Sequence, residues 1–135
     1  MKEYCVDLKI AKKLKENGFP QKIERFSWRS SWINSLVGKE HYYSFGYHLK
    51  SDIFEIERYY APSSDELLKE LPNEIKGYIL EIIRYEDGTI EADYTRNLQY
   101  ENDKEYLIQS NKLFYKSSDS LADLWLDLKK EGYIK

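Results

Sequence analysis

The chain has 135 residues, with 21 Lys and Arg against 24 Asp and Glu, a formal charge of -3, and one cysteine. That length suits one domain with one core, the lone Cys5 excludes an internal disulfide, and the near-balanced charge gives no global attraction for a polyanion. Nucleic acid is therefore not the expected partner, and no apolar run is long enough to span a bilayer.

A mean hydropathy of -0.74 would suggest disorder. Thirteen tyrosines, three tryptophans and five phenylalanines argue otherwise, because aromatic rings bury large apolar bodies while scoring as neutral or polar. No leader of the secretory kind opens the sequence, so residence in the cytoplasm is expected.

Residues 7–17 predict the first helix. Asp7 suits the N-cap, Leu8, Ala11 and Leu14 make an apolar stripe, and Gly18 supplies the left-handed stop before Pro20. Lys9, Lys12, Lys13 and Glu16 then face water, as a solvated face or a basic docking surface, with Lys12 placed to pair with Glu16.

Between residues 23 and 60 the period shortens to about two and aromatic residues concentrate, which predicts strands. Residues 53–60 set Phe54, Ile56 and Tyr60 against Glu55 and Glu57, as a sheet with one wet face requires. Pro62-Ser63-Ser64-Asp65-Glu66 then opens a short second helix. Ser63 is its cap, Leu67, Leu68 and Leu71 are its buried side, and Pro72 is its stop.

Asp87-Gly88 marks a hairpin between residues 78–85 and 89–95. A two-residue type I′ turn there sets Glu86 opposite Thr89, Tyr85 opposite Ile90 and Arg84 opposite Glu91. Residues 97–104 read as a loop and 106–115 as one or two short strands. A final helix follows, capped by Ser118 or Ser120, with Leu121, Leu124, Trp125 and Leu128 buried and Gly132 as its stop. The expected fold is a single α+β domain over residues 1–135. It has a mainly antiparallel twisted sheet of five to six strands, with the N- and C-terminal helices packed on one face and a short middle helix at an edge.

Chemistry is sparse. His41 and His48 differ in strand parity and point to opposite faces, so no metal site is expected. The carboxylate pairs Glu55/Glu57 and Glu91/Asp93 read as solvated sheet surface, and no nucleophile elbow or Gly-rich phosphate loop occurs. No catalytic residue and no cofactor is expected. The segment 25–47 interleaves Arg25, Arg29 and Lys39 with aromatic rings, a mixture suited to gripping a partner. Its candidate binding residues are Trp28, Arg29, Trp32, His41, Tyr42, Tyr43 and Tyr47.

Three stretches carry a resemblance. They are Ala11 to Phe19 at the end of the first helix, Ala61 to Pro72 at the strand-to-helix joint, and Ser120 to Lys130 in the last helix. In their order the chain resembles uncharacterised small proteins of phages, prophages and conjugative elements of gut bacteria. The resemblance implies a mobile-element accessory protein acting inside the bacterial cell, and it brings no catalytic residues with it. The expected function is non-enzymatic binding of a host or phage protein, as an accessory or anti-defence factor. The alternative is a small-ligand or nucleotide binder using an aromatic pocket of Trp28, Trp32 and His41, with Arg29 for charge. A homodimer formed through a sheet edge or the aromatic patch is also admitted.

Overall fold

The computed structural model describes residues 1–22, 24–36, 38–48, 55–98, 103–108 and 112–135. Ile23, Ile53 and Phe54, which the strand reading used, lie outside them. The described chain is α+β, with three α-helices and seven strands in two antiparallel sheets. Its contacts divide it into two compact units, Met1–Ser63 and Ser64–Lys135.

In the first unit a 3-10 turn, Lys2–Tyr4, precedes α1, Leu8–Glu16, which holds Asp7 at its N-cap. Ala11 and Leu14 are its buried stripe. The helix stops at Gly18, whose φ of +83° costs a residue without Cβ nothing. There the Phe19 and Gly18 amides donate to the carbonyls of Leu14 (2.9 Å) and Lys15 (3.2 Å), a doubled bond that satisfies the last turn. Three strands follow: β1, Phe26–Ser35; β2, Gly38–Tyr47; and β3, Glu55–Tyr60. They lie in the order β2-β1-β3, and α1 packs on β3.

The alternation expected through residues 53–60 breaks at a bulge. Ser30 pairs with Glu57 and Ser31 with Glu55, which leaves Ile56 without a cross-strand partner and 44% exposed.

The second unit begins with α2, Ser64–Glu70, which buries Leu67 and is followed by buried Leu71. Leu68, expected on the buried side, is exposed instead, because Leu67 and Leu71 lie one turn apart and take the inward stripe. The second sheet runs β4-β5-β6-β7, formed by Glu74–Ile75, Tyr78–Arg84, Ile90–Asn97 and Lys104–Tyr106. The last helix, α3, Ser117–Lys130, buries Leu121, Leu124, Trp125 and Leu128 and packs on β6 and α2. It starts earlier than the expected caps, so Ser118 and Ser120 sit buried in its first turn. Its end at Gly132 repeats the bonding seen at Gly18, with Tyr133 and Gly132 donating to Leu128 (2.9 Å) and Lys129 (3.2 Å).

Seven strands in two sheets thus stand where one sheet of five to six was expected. The terminal helices pack on different sheets, and the middle helix packs against α3. The division follows the pairing: among the described residues β3 bonds to β1, β5 bonds to β4 and β6, and no strand belongs to both sheets.

The Asp87-Gly88 hairpin forms with a different turn. Gly88 N–H donates to the Tyr85 carbonyl (3.0 Å), Tyr85 N–H donates to the Thr89 carbonyl (2.9 Å), and Gly88 sits at φ +88°. That is a three-residue loop with a glycine bulge. Asp87 Oδ1 reinforces it by accepting from both the amide and the hydroxyl of Thr89. The register moves by one residue, so Arg84 lies opposite Ile90 and Ile83 opposite Glu91, and Tyr85 Oη donates to Glu91.

The two-residue turn with both φ values positive occurs instead at Lys76 (φ +51°) and Gly77 (φ +87°), between β4 and β5. Lys76→Asn is expected to raise stability by about 0.5–1 kcal/mol, because Asn tolerates the left-handed region better than Lys. Urea denaturation checks this. A fall would show that the Lys76 ammonium, 5.2 Å from the Tyr133 ring centroid, matters more than the backbone.

Candidate functional site

Cross-strand partners share a face of a sheet. The register pairs Phe26 with Tyr47, Trp28 with Phe45, Ser30 with Tyr43 and Trp32 with His41, so one face of β1 and β2 is almost wholly aromatic. Five of the seven candidate residues lie on it: Trp28, Trp32, His41, Tyr43 and Tyr47. Arg29 and Tyr42 have the other parity and lie on the opposite face. The imagined pocket of Trp28, Trp32 and His41 with Arg29 for charge is therefore not assembled.

The aromatic face has a buried part and an open part. Trp28 is 8% exposed, its indole N–H donates to the Val6 carbonyl at 3.0 Å, and its ring meets Phe45 at 5.2 Å. Phe26 joins this group, 5.3 Å from Phe45 and 4.0 Å from Tyr47. Farther along, Trp32, His41 and Tyr43 form a second row, with centroids 5.4 and 4.8 Å apart and rings tilted by 38° and 45°. Trp32 is 44% and Tyr43 37% exposed.

This second row is braced. Buried Ser30 bonds His41 Nε2 through its hydroxyl. Lys12 of α1 donates to Tyr43 Oη at 2.8 Å, with its ammonium 4.4 Å from the ring centroid. That bond holds the Lys12 ammonium above its ordinary pKa. Lys12 thus reaches a tyrosine across the sheet, where the sequence suggested a pair with Glu16. Next to it Lys15 bonds Glu57 and the Arg58 carbonyl, and its hydrogen bond pulls the Glu57 carboxylate below the usual range.

Ser30 and Lys12 were missed as site residues. Ser30 had a legible signal, since it shares parity with Trp28 and Trp32. Lys12 had none, because which strand a helix covers does not follow from the helix itself.

His48 lies past the end of β2, beside Arg29 and Arg58. Burial first, then Arg29, pushes its pKa down. In the second unit, Asp93 and Glu91 share a face of β6 but are not both solvated: Asp93 is buried. Cys5 is buried as well. Among the described residues no three His, Cys, Asp or Glu side chains gather as metal ligands, and no helix is long and apolar enough to cross a membrane.

In comparisons with protein families, curated proteins and solved structures, nothing matches this chain.

Proposed function

We propose that this protein is a non-enzymatic binding module that grips a protein partner through Trp32, His41 and Tyr43. The observation that carries this reading is the second aromatic row itself. Its three rings touch in series and lie open on a strand pair, and Ser30 and Lys12 fix two of them in place. Trp and Tyr bring large contact area at small conformational cost, and rings already held in position lose still less on binding. The tilts between them leave no parallel slot for a planar base, which favours a protein surface over a stacked nucleotide.

The resemblance to small phage and mobile-element proteins supports a partner inside the bacterial cell, either a host or a phage protein. An anti-defence inhibitor is the form we favour. Such a protein needs a gripping surface and no catalytic constellation.

The test is capture from bacterial lysate by the immobilised protein, followed by titration of the captured partner. Trp32→Ala and Tyr43→Ala are each expected to weaken binding by about tenfold or more, since central aromatic anchors are worth 2 kcal/mol or above. Trp32→Ala should stay within a few degrees of the wild-type unfolding midpoint, and Tyr43→Ala, which also loses the Lys12 bond, is compared at a temperature where it is fully folded. Unchanged affinity in both would remove the aromatic row from the interface.

A further inference from the structure

A strand at the edge of a sheet leaves a row of main-chain amides and carbonyls without partners, and native sheets protect such rows. Three of the four edges among the described residues are protected. β4 and β7, the edges of the second sheet, run for only two and three residues. β3, one edge of the first sheet, carries the bulge at Ile56, and its outward groups are taken: Lys15 Nζ donates to the Arg58 carbonyl at 2.9 Å, and Gln21 Oε1 accepts from the Tyr60 amide at 2.9 Å. The other edge of that sheet is β2. It runs for ten residues without proline, and its pairing with β1 shows no register shift.

Which groups of β2 face outward follows from one bond. In an antiparallel sheet the amide and carbonyl of a residue point to the same side, and successive residues alternate. The Ala61 amide donates to the Phe26 carbonyl at 3.0 Å, so Phe26 turns its main chain toward the β3 side and away from its β2 partner Tyr47. Trp28, Ser30 and Trp32 have the same parity. Their partners Phe45, Tyr43 and His41 therefore turn their amides and carbonyls away from β1, toward the open side. Among the described residues nothing bonds those amides and carbonyls.

We propose that β2 pairs with β2 of a second copy of this chain, antiparallel about a two-fold axis at Tyr43, so that the two first sheets become one. In this register Tyr43 lies opposite the same residue of the copy and His41 lies opposite Phe45. The three outward residues of each chain then make about six interchain bonds. Lys39 and Glu40, the only Lys, Arg, Asp or Glu residues of β2, both stand at its start. An antiparallel copy sets them against Tyr47 and Gly46, so like charges never meet, whereas an in-register parallel strand would bring each beside its double. Opposed residues share a face, so the aromatic side of one copy continues into that of the other, and ring pairs across the junction add to the main-chain bonds. A foreign strand would leave the edge bare until it arrived. A second copy closes both edges at once. The inference rests on the main chain of β2 and holds whether or not the aromatic row grips a partner.

Sedimentation equilibrium of the purified full chain at about 50 µM, with no other protein present, is expected to give twice the chain mass of 16.2 kDa. His41→Pro removes an outward amide, which an edge strand tolerates, and should leave the far-UV circular dichroism spectrum unchanged. It deletes one interchain bond per copy and is expected to weaken dimerisation by about thirtyfold or more. Tyr43→Cys tests the register. Its Cα atoms in the two copies lie about 5.5 Å apart, within the reach of a disulfide. Oxidation with copper phenanthroline is expected to link the variant chains, while the buried Cys5 leaves the wild type unlinked. A wild-type mass of one chain overturns the proposal, as does a His41→Pro dimer of undiminished affinity or a Tyr43→Cys variant that does not cross-link. Should His41→Pro fail to fold, Tyr43→Cys carries the test. Trp32→Ala leaves the main chain of β2 in place and is expected to stay dimeric, so failure of the aromatic grip and failure of the dimer are distinguishable.

Discussion

Asp93→Asn is expected to remove most of the fall in stability that the wild-type chain shows between about pH 4 and pH 8. Asp93 is 3% exposed on β6, opposite Glu81 on β5 and two residues from Glu91. Burial above all, then the hydrogen bond to Glu91 and the like charges of Glu91, Glu81 and Asp127, pushes its pKa up to about 8. Glu91 moves the other way, held below the usual range first by its bond from Asp93 and also by the Tyr85 hydroxyl. Lys104 compensates Glu81 at the far end of the row. The pair therefore carries one proton near neutrality, and it sits on Asp93. An unfolded Asp releases its proton near pH 3.9, so between there and about pH 8 the folded chain binds one proton more than the unfolded chain. Stability must then fall as pH rises, by at most about 1.4 kcal/mol per unit for one proton. The total over the window is on the order of 3 kcal/mol or more. Glu91 has the opposite sign and acts lower, adding stability as pH rises through about 4. Asn keeps a donor for Glu91 and has no proton to lose. Urea denaturation should find the variant equal to wild type below about pH 4 and more stable by about 3 kcal/mol or more at about pH 9. Parallel pH profiles for the two proteins would show that Asp93 does not hold the proton.

Some of this was legible from residues and some was not, and the difference is physical. Gly18 and Gly132 announced their helix ends because a left-handed stop has one favoured residue type. The stripe of Leu121, Leu124, Trp125 and Leu128 announced the buried side of α3 for the same kind of local reason. Asp87-Gly88 announced a turn but not its length, since a two-residue type I′ loop and a three-residue loop with a bulge both place glycine at positive φ. That ambiguity of one residue moved Arg84 from Glu91 to Ile90. Nothing in Lys76 suggested that it would take the turn conformation itself. Pairing between distant strands was not legible, because alternation shows which residues share a face and not which strand lies alongside. Within the candidate site, Trp28, Trp32 and Ser30 share a face by strand parity alone, and the same parity should have set Arg29 apart. That His41 and Tyr43 join Trp32 depends on the register of β2 on β1, which alternation alone does not set.

Trp28→Ala is expected to cost 3–5 kcal/mol of stability, and Trp32→Ala less than about 1 kcal/mol, although both tryptophans lie on one face of one strand. Trp28 fills the buried part of that face against Phe45, with the Lys2 ammonium 5.0 Å from its ring. Removing the indole leaves a cavity. It also strips the Val6 carbonyl of a donor at a residue that is 1% exposed. Trp28→Phe separates the two terms, keeping most of the volume while losing the bond, and should cost about 1–3 kcal/mol. Trp32 meets His41 ring to ring and is 44% exposed, so its truncation leaves a dent open to solvent and not an enclosed cavity. Chemical denaturation of the three variants measures the contrast. A loss below about 1 kcal/mol for Trp28→Ala would mean that the indole is no part of the core, and the division of this face into a folding end and a gripping end would fail. If the contrast holds, the open end of the hairpin is free of folding duty. Its rings can then be exchanged to suit a different partner without weakening the body that presents them, which is the property a variable binding surface on a small scaffold requires.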